Sequence, residues 1–186
     1  MNWEYFYENY GEWEESKLLR CVRLLEDLGT NDEIVDVVNF SGSEKANAEI
    51  LKMAVNRKMF FSYDEVVDME CGLDDEFYEA FVAINLIKNP NLTFEEIMKY
   101  KNDVKDILLE MVLYDCNLRY TQEQLDLLEK EYESEFIEML YKKQGMRYRK
   151  HAYVVEYSPC YSRGKEKVGL FARFGIYKLV SGLFRF

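Results

Sequence analysis

Apolar residues recur with a helical period along most of the chain, and a helix-start signal recurs with them. The pattern S/T-x-x-E/Q occurs four times, beginning at Thr30, Ser62, Thr93 and Thr121. In such a capping box the hydroxyl accepts from the backbone amide three residues on, and the acid or amide side chain returns to the cap's own amide. The spacing between consecutive starts is nearly constant, so the sequence predicts four regularly spaced helix starts.

Apolar residues flank these boxes at fixed offsets. An aliphatic residue stands four positions after every cap: Ile34, Val66, Ile97 and Leu125. Three of the boxes also follow directly on an apolar residue: Phe61, Leu92 and Tyr120. Packed against the aliphatic residue of the same box, each would form a hydrophobic staple. Gly29 stands there in the first copy, so we expect that copy to lack the staple.

A second helical run lies between successive boxes. The first such helix is predicted to begin at Ser43 and to end near residues 56–58. The second is predicted to begin with the acids of 74–76 and to cover 77–87, and the third to cover 105–114. The unit is therefore a shorter capped helix, a turn and a longer helix, with a period of about 30 residues that is typical of stacked helical hairpins. The last box is expected to begin one long helix over 121–143.

The N-terminal segment, 1–28, combines aromatic residues with acids. The aromatic residues are Trp3, Tyr5, Phe6, Tyr7, Tyr10 and Trp13. They either pack against the end of the helical array, since large aromatics dominate cores, or form an exposed anchor patch for a partner. An amphipathic helix is predicted to follow, with its apolar side made by Leu18, Leu19, Val22, Leu25 and Leu28.

The sequence changes in character after Gly145. Residues 152–157 have β character, residues 160–167 are typical of a turn, and 168–186 favour two strands over a cationic amphipathic helix. We therefore predict a mainly α fold of stacked helical hairpin repeats with a small C-terminal α/β or β appendage. Its two parts are an acidic helical-repeat body, 1–143, and a basic, β-rich appendage, 144–186.

One stretch resembles a known kind of protein. The sequence of 89–97, NPNLTFEEI, is similar to short helical repeats in uncharacterised proteins of Gram-positive phages and mobile elements. Residues 114–128 and 55–73 are similar but lack the proline. The resemblance covers residues 30–130 at most and carries no catalytic residues. It implies a helical-repeat fold and favours an inhibitor of the anti-CRISPR type.

Charge is divided unevenly between the two parts. The formal charge is −11, but residues 1–140 hold 13 Lys/Arg against 33 Asp/Glu, whereas 141–186 hold 11 against two. The acidic body could mimic a phosphate backbone and occupy a basic groove, or it could simply be a solvated surface. Six acids of the repeat helices are predicted to meet the partner: Glu65, Asp68, Glu95, Glu96, Asp103 and Asp106.

One interpretation of the basic segment is a nucleic-acid contact, because cations neutralise phosphates and neighbouring tyrosines can stack on unpaired bases. Its predicted nucleic-acid-binding residues are Lys142, Lys143, Arg147, Arg149, Lys150, Arg163, Lys165 and Lys167. The alternative is that this segment docks on the acidic body.

Neither catalysis nor metal binding is indicated. His151 is the only histidine, and surface exposure or a phosphate contact explains it better than catalysis. The sequence contains no P-loop, G-x-G-x-x-G or zinc-ligand spacing, so we expect no metal and no cofactor. Four cysteines without a CxxC pair are expected to be reduced and buried: Cys21, Cys71, Cys116 and Cys160.

The sequence has no apolar run long enough for a membrane span and no secretory signal at its acidic start, so we expect a cytoplasmic protein without a membrane partner. The first functional hypothesis is a non-enzymatic phage or mobile-element inhibitor that binds a basic host protein or ribonucleoprotein, such as a CRISPR nuclease, through its acidic helical surface. The alternative is a nucleic-acid-binding regulator that uses the basic C-terminal segment.

Overall fold

The computed structural model describes residues 1–146 and Tyr148. In this part the chain forms helices and no strand, so the predicted mainly α class is confirmed there. Short 3-10 turns follow α1 and α7 directly, and another follows α5 after Met69. The helices are α1 (Trp3–Asn9), α2 (Glu15–Arg23), α3 (Asn31–Phe40), α4 (Glu44–Asn56), α5 (Tyr63–Asp68), α6 (Asp75–Lys88), α7 (Phe94–Lys99), α8 (Asp106–Asp115), α9 (Gln122–Glu129) and α10 (Ser134–Lys143).

All four predicted capping boxes form, and they begin α3, α5, α7 and α9. In the α5 box the backbone amide of Ser62 donates to Oε2 of Glu65 at 2.6 Å. In the α7 box the backbone amide of Thr93 donates to Oε2 of Glu96 at 2.9 Å. The predicted second helices also form, because Ser43 caps α4, Asp74 caps α6 and α8 begins after Lys105.

The N-caps of consecutive helices are regularly spaced. Each odd-numbered helix is followed by an even-numbered helix whose N-cap lies at a nearly constant distance along the chain. The five pairs of N-caps are Asn2 and Glu14, Thr30 and Ser43, Ser62 and Asp74, Thr93 and Lys105, and Thr121 and Glu133. The pairing therefore includes α1 and α2, although the N-cap of α1 is Asn2 rather than a capping box.

Even-numbered helices pack against one another in chain order: α2 on α4, α4 on α6, α6 on α8 and α8 on α10. The odd-numbered helices α3 and α5 also pack together. Apolar residues of all ten helices in the described part of the chain enter one continuous core. Every odd-numbered helix contributes the residue four positions after its N-cap, and none of these side chains is exposed to solvent: Phe6, Ile34, Val66, Ile97 and Leu125.

The prediction of one long helix over 121–143 is wrong. The chain leaves the helix at Lys130 and starts a new one after Glu133, whose ψ of 143° is extended. A single helix over these 23 residues would be about 35 Å long, whereas the two shorter helices both place apolar residues in the one core. By folding back on itself, the chain buries Leu128 of α9 and Leu140 of α10 completely.

The predicted amphipathic helix near the N-terminus ends earlier than expected. It stops at Arg23, so Leu25 and Leu28 lie beyond it, although Leu25 is still buried. The amino group of Met1 donates to the carbonyl oxygen of Leu24 at 2.8 Å, so the N-terminus binds to the end of this helix.

The N-terminal aromatic residues pack chiefly into the core. Trp3 and Phe6 are buried, whereas Tyr5 is about half exposed. Trp3 also covers Gly29, the position where the first box lacks its apolar residue. A Cβ added to Gly29 would lie 2.0 Å from Nε1 of Trp3, so only glycine permits this approach. The core interpretation therefore holds for Trp3 and Phe6.

The described residues include only the first few of the predicted C-terminal appendage, 144–186. Its predicted strands, together with His151 and Cys160, lie outside the described residues.

Candidate macromolecule-binding surface

The six acids predicted to meet a partner have different roles. The carboxylates of Glu65 and Glu96 belong to capping boxes, where backbone amides already donate to them. Asp103 accepts from the hydroxyl of Tyr63 at 2.7 Å, and this hydrogen bond raises the pKa of that tyrosine. The three others are exposed and make no ion pair within the described residues: Asp68, Glu95 and Asp106.

A regular row of acids runs along the odd-numbered helices. The second residue after each of their five N-caps is an exposed acid, and the sixth is an exposed acid in the first three helices. We call this row the acidic ladder. Its members are Glu4, Glu8, Asp32, Asp36, Asp64, Asp68, Glu95 and Glu123. Residues two and six after a cap are four apart, so they share one helix face.

The acidic ladder lies on the outer side of these helices. Its positions are two residues before and two after the fully buried fourth position of each helix. A step of two residues rotates about 200° around a helix of 3.6 residues per turn, so the ladder and the core contacts occupy opposite faces. The sixth positions of α7 and α9 are also exposed, but they hold Lys99 and Leu127.

Contacts between consecutive odd-numbered segments hold them side by side. The hydroxyl of Tyr7 in α1 donates to Asp36 of α3 at 2.9 Å, which raises the pKa of Tyr7. Helices α3 and α5 pack directly. The ring of Tyr63 in α5 lies 4.9 Å from that of Tyr100, just after α7. Lys101 then reaches Glu131, just after α9, at 2.6 Å. The ladder therefore crosses a series of neighbouring helices.

A buried amide attaches α5 to the even-numbered row. Asn85 of α6 accepts from the backbone amide of Phe61 at 3.0 Å and donates to its carbonyl oxygen at 2.9 Å. Phe61 directly precedes the N-cap of α5, and both side chains are buried. The orientation of α5, and with it the position of two ladder acids, therefore depends on Asn85.

The last pair has an equivalent contact. Gln144, after α10, accepts from the backbone amide of Tyr120 at 2.9 Å, and Tyr120 directly precedes the N-cap of α9. Asn85 and Gln144 occupy the same position relative to the N-cap of their even-numbered helix, Asp74 and Glu133. The two pairs are therefore built alike at this point.

Only two of the predicted nucleic-acid-binding residues can be located. Lys143 donates to the carbonyl oxygens of Tyr114 and Cys116, the second at 2.7 Å, so its ammonium caps the end of α8. Lys142 is exposed. The others lie outside the described residues: Arg147, Arg149, Lys150, Arg163, Lys165 and Lys167.

The cysteines follow the prediction in part. Cys21 and Cys116 are buried with free thiols, but Cys71 is exposed, so the expectation of burial is wrong for Cys71. Cys71 lies in the 3-10 turn that follows α5, where neighbouring Gly72 approaches the backbone of Val38 and leaves the thiol on the outside. In the described part of the chain, no group of three or more His, Cys, Asp or Glu side chains is placed to hold a metal ion. No helix there is long and apolar enough to cross a membrane.

Comparison of the chain with protein-family models, with curated proteins and with solved structures gives no match.

Sequence analysis missed most of the ladder, because it selected acids by helix and not by position relative to the caps. Of the residues it named, Asp68 and Glu95 are ladder members. The missed members are Glu4, Glu8, Asp32, Asp36, Asp64 and Glu123. Counting two and six positions from the cap of each box would have found four of them, and recognition of Asn2 as a fifth cap was needed for Glu4 and Glu8.

Proposed function

We propose that this protein is a non-enzymatic binding protein whose acidic ladder engages a cationic surface of another macromolecule. The five helix pairs would act as a stacked array of hairpin repeats that presents one face. The regular spacing of the N-caps, the serial packing of the even-numbered helices and the shared core support this arrangement.

The observation that carries the proposal is an electrostatic cost repeated three times. Glu4 and Glu8, Asp32 and Asp36, and Asp64 and Asp68 are like charges four residues apart on one helix face. Each such pair destabilises a helix by about 0.2–0.5 kcal/mol. Favourable interaction of first-turn acids with the helix dipole does not account for Asp68, which ends its helix. Destabilising like-charge pairs that recur at equivalent positions of several helices are typical of a surface that serves a function.

The charge density of the ladder favours a particular kind of partner. Packed helices lie about 8–10 Å apart, as expected for α3 and α5; at that spacing four steps would span about 32–40 Å, so eight carboxylates would give about one charge per 4–5 Å. Each strand of duplex DNA carries about one charge per 3.4 Å. The ladder is thus closest to a single strand, and we propose the basic groove of a nucleic-acid-handling enzyme as its target. The resemblance to phage and mobile-element repeats supports, as an association, an inhibitor that blocks such a groove in a CRISPR-type nuclease.

Two variants of equal net charge test this function. The ladder variant carries Glu8→Gln, Asp32→Asn, Asp68→Asn and Glu95→Gln. The control variant neutralises exposed acids elsewhere through Glu12→Gln, Glu44→Gln, Asp75→Asn and Glu138→Gln. Neither set includes a capping-box acid or an acid in an ion pair, so both variants should keep the fold.

Each immobilised protein is incubated with nuclease-treated host lysate. The proposal predicts that a basic nucleic-acid-handling enzyme is retained by the wild type and the control variant and lost from the ladder variant. Equal retention by both variants would contradict it. Retention only while nucleic acid is intact would instead favour a nucleic-acid-binding regulator.

A further inference from the structure

We infer that residues 149–186 of the same chain dock on the acidic ladder, so that the binding face is covered in cis and an external partner must displace this segment. The inference rests on the proposed function, because it concerns the regulation of the same face. Three features of the chain carry it: the opposite charges of segment and body, the point where the described chain ends, and the length of the segment.

The two parts are complementary in charge. Residues 149–186 hold eight Lys/Arg and two Glu, and 1–146 hold 15 Lys/Arg and 33 Asp/Glu. The ladder is the regular acidic row of the described part, and none of its members is in an ion pair there. A tethered cationic segment therefore meets an unneutralised acidic face on its own molecule.

The chain returns to the odd-numbered helices before residue 149. It turns after α10 at Gly145, whose φ is +69°. The hydroxyl of Tyr148 then donates to Glu129 of α9 at 2.9 Å, and its ring lies 5.2 Å from that of Tyr141. Glu129 is six residues, about 9 Å of helix, from Glu123, the last member of the ladder. The basic segment thus begins beside one end of the ladder.

The segment is long enough to follow the whole row. From 149 to 186 it could extend to about 125 Å, at about 3.3 Å per residue, and the ladder would span about 32–40 Å. A short tether also gives an effective concentration on the order of 1 mM. A contact with a dissociation constant of about 0.1 mM would then lower the affinity for an outside partner about tenfold.

Cross-linking of the full chain tests the position of the segment. A carbodiimide joins amines to carboxylates without a spacer, so the segment's lysines, Lys150, Lys165, Lys167 and Lys178, report which acids they touch. We expect links to ladder acids within the monomer, in preference to the exposed acids Glu12, Glu44, Asp75 and Glu138, and fewer links at high salt. Links without preference for the ladder, or found only in covalent dimers, would overturn the inference.

Binding of a fluorescein-labelled oligolysine peptide tests the competition. The change is Lys165→Gln, Lys167→Gln and Lys178→Gln in the full chain. A matched control of equal charge carries Lys45→Gln, Lys88→Gln and Lys130→Gln in the described part of the chain, where only Lys45 is in an ion pair, an exposed one with Glu15. We expect the first variant to bind the peptide about tenfold more tightly than the control variant does.

If both lysine variants bind the peptide and bind it with equal affinity, docking in cis is overturned. If ladder cross-links form but no variant binds the peptide, the proposed function fails and the docking inference stands. The two proposals can therefore fail separately.

Discussion

Removing the Asn85 side chain should destabilise the protein severely and disturb the face that α5 presents. Asn85→Ala deletes both hydrogen bonds to Phe61 and leaves a buried backbone amide and a buried carbonyl without partners. Each unsatisfied buried group costs about 1–3 kcal/mol, so we expect a loss of about 2–6 kcal/mol in the free energy of unfolding. Asn56→Ala, at an exposed position that ends α4, should change it by less than about 0.5 kcal/mol.

Urea unfolding followed by helical circular dichroism measures both variants. With a slope of about 2 kcal/mol per molar urea, the midpoint of Asn85→Ala should fall by about 1–3 M at unchanged slope. Gln144→Ala should cost less, because Gln144 makes only one of these bonds and its buried Nε2 has no partner among the described residues. A midpoint for Asn85→Ala within about 0.2 M of the wild type would refute the argument that this amide holds α5 in place.

Three further predictions concern stability. Gly29→Ala should lower the free energy of unfolding by about 1–3 kcal/mol in urea, because the new Cβ would overlap Trp3. The control Gly11→Ala, at a position with open space around it, should lower it by less than about 1 kcal/mol. Equal losses in the two variants would contradict the close approach of Trp3 to Gly29. Burial raises the pKa of Tyr78 to about 12, above the usual value near 10, so the unfolded chain ionises first and stability falls as pH rises from 10 to 12. Tyr78→Phe should lose less stability than the wild type over that range in pH-dependent thermal melts, and parallel curves would show that Tyr78 does not contribute. Asp68→Asn and Glu8→Gln each remove an acid from the last turn of a short helix, so each should raise stability by about 0.3–1 kcal/mol at low salt. Lower stability in either variant would indicate a structural role that the contacts do not show.

Helix starts were the most predictable part of the fold, because a capping box is a local signal. Hydroxyl, acid and backbone amide lie within four residues, so Thr93 and Glu96 form their predicted box in the structure. The first helix was missed because Asn2 is followed at the third position by Tyr5 and not by an acid or amide.

The break between α9 and α10 was missed for a different reason. Residues 130–133 contain no glycine or proline, and the apolar period runs through them. What ends α9 is the burial of two apolar faces in one core, a tertiary effect that a single helical period does not show. The spacing between the N-caps of an earlier pair, Thr93 and Lys105, nevertheless predicts a new N-cap at Glu133, because Glu133 lies equally far from Thr121.

Candidate site residues were predictable only in part, because their availability depends on contacts between distant segments. The sequence pattern predicts that Asp103 is available to a partner, but its carboxylate accepts a hydrogen bond from the hydroxyl of Tyr63, which is distant along the chain. Lys143 was assigned to nucleic acid, but its ammonium caps α8. No local pattern distinguishes such residues from Asp68, an exposed acid that makes no ion pair within the described residues.

The most direct test of the ladder compares its effect on binding with the effect of net charge alone. Affinity for the labelled oligolysine peptide is measured over a range of salt concentrations for the wild type, the ladder variant and the control variant. We predict that the ladder variant binds at least about tenfold more weakly at low salt and with a shallower salt dependence, whereas the control variant stays within about threefold of the wild type. Equal weakening of both variants would show that the peptide responds to overall charge, and it would contradict a binding face on the odd-numbered helices.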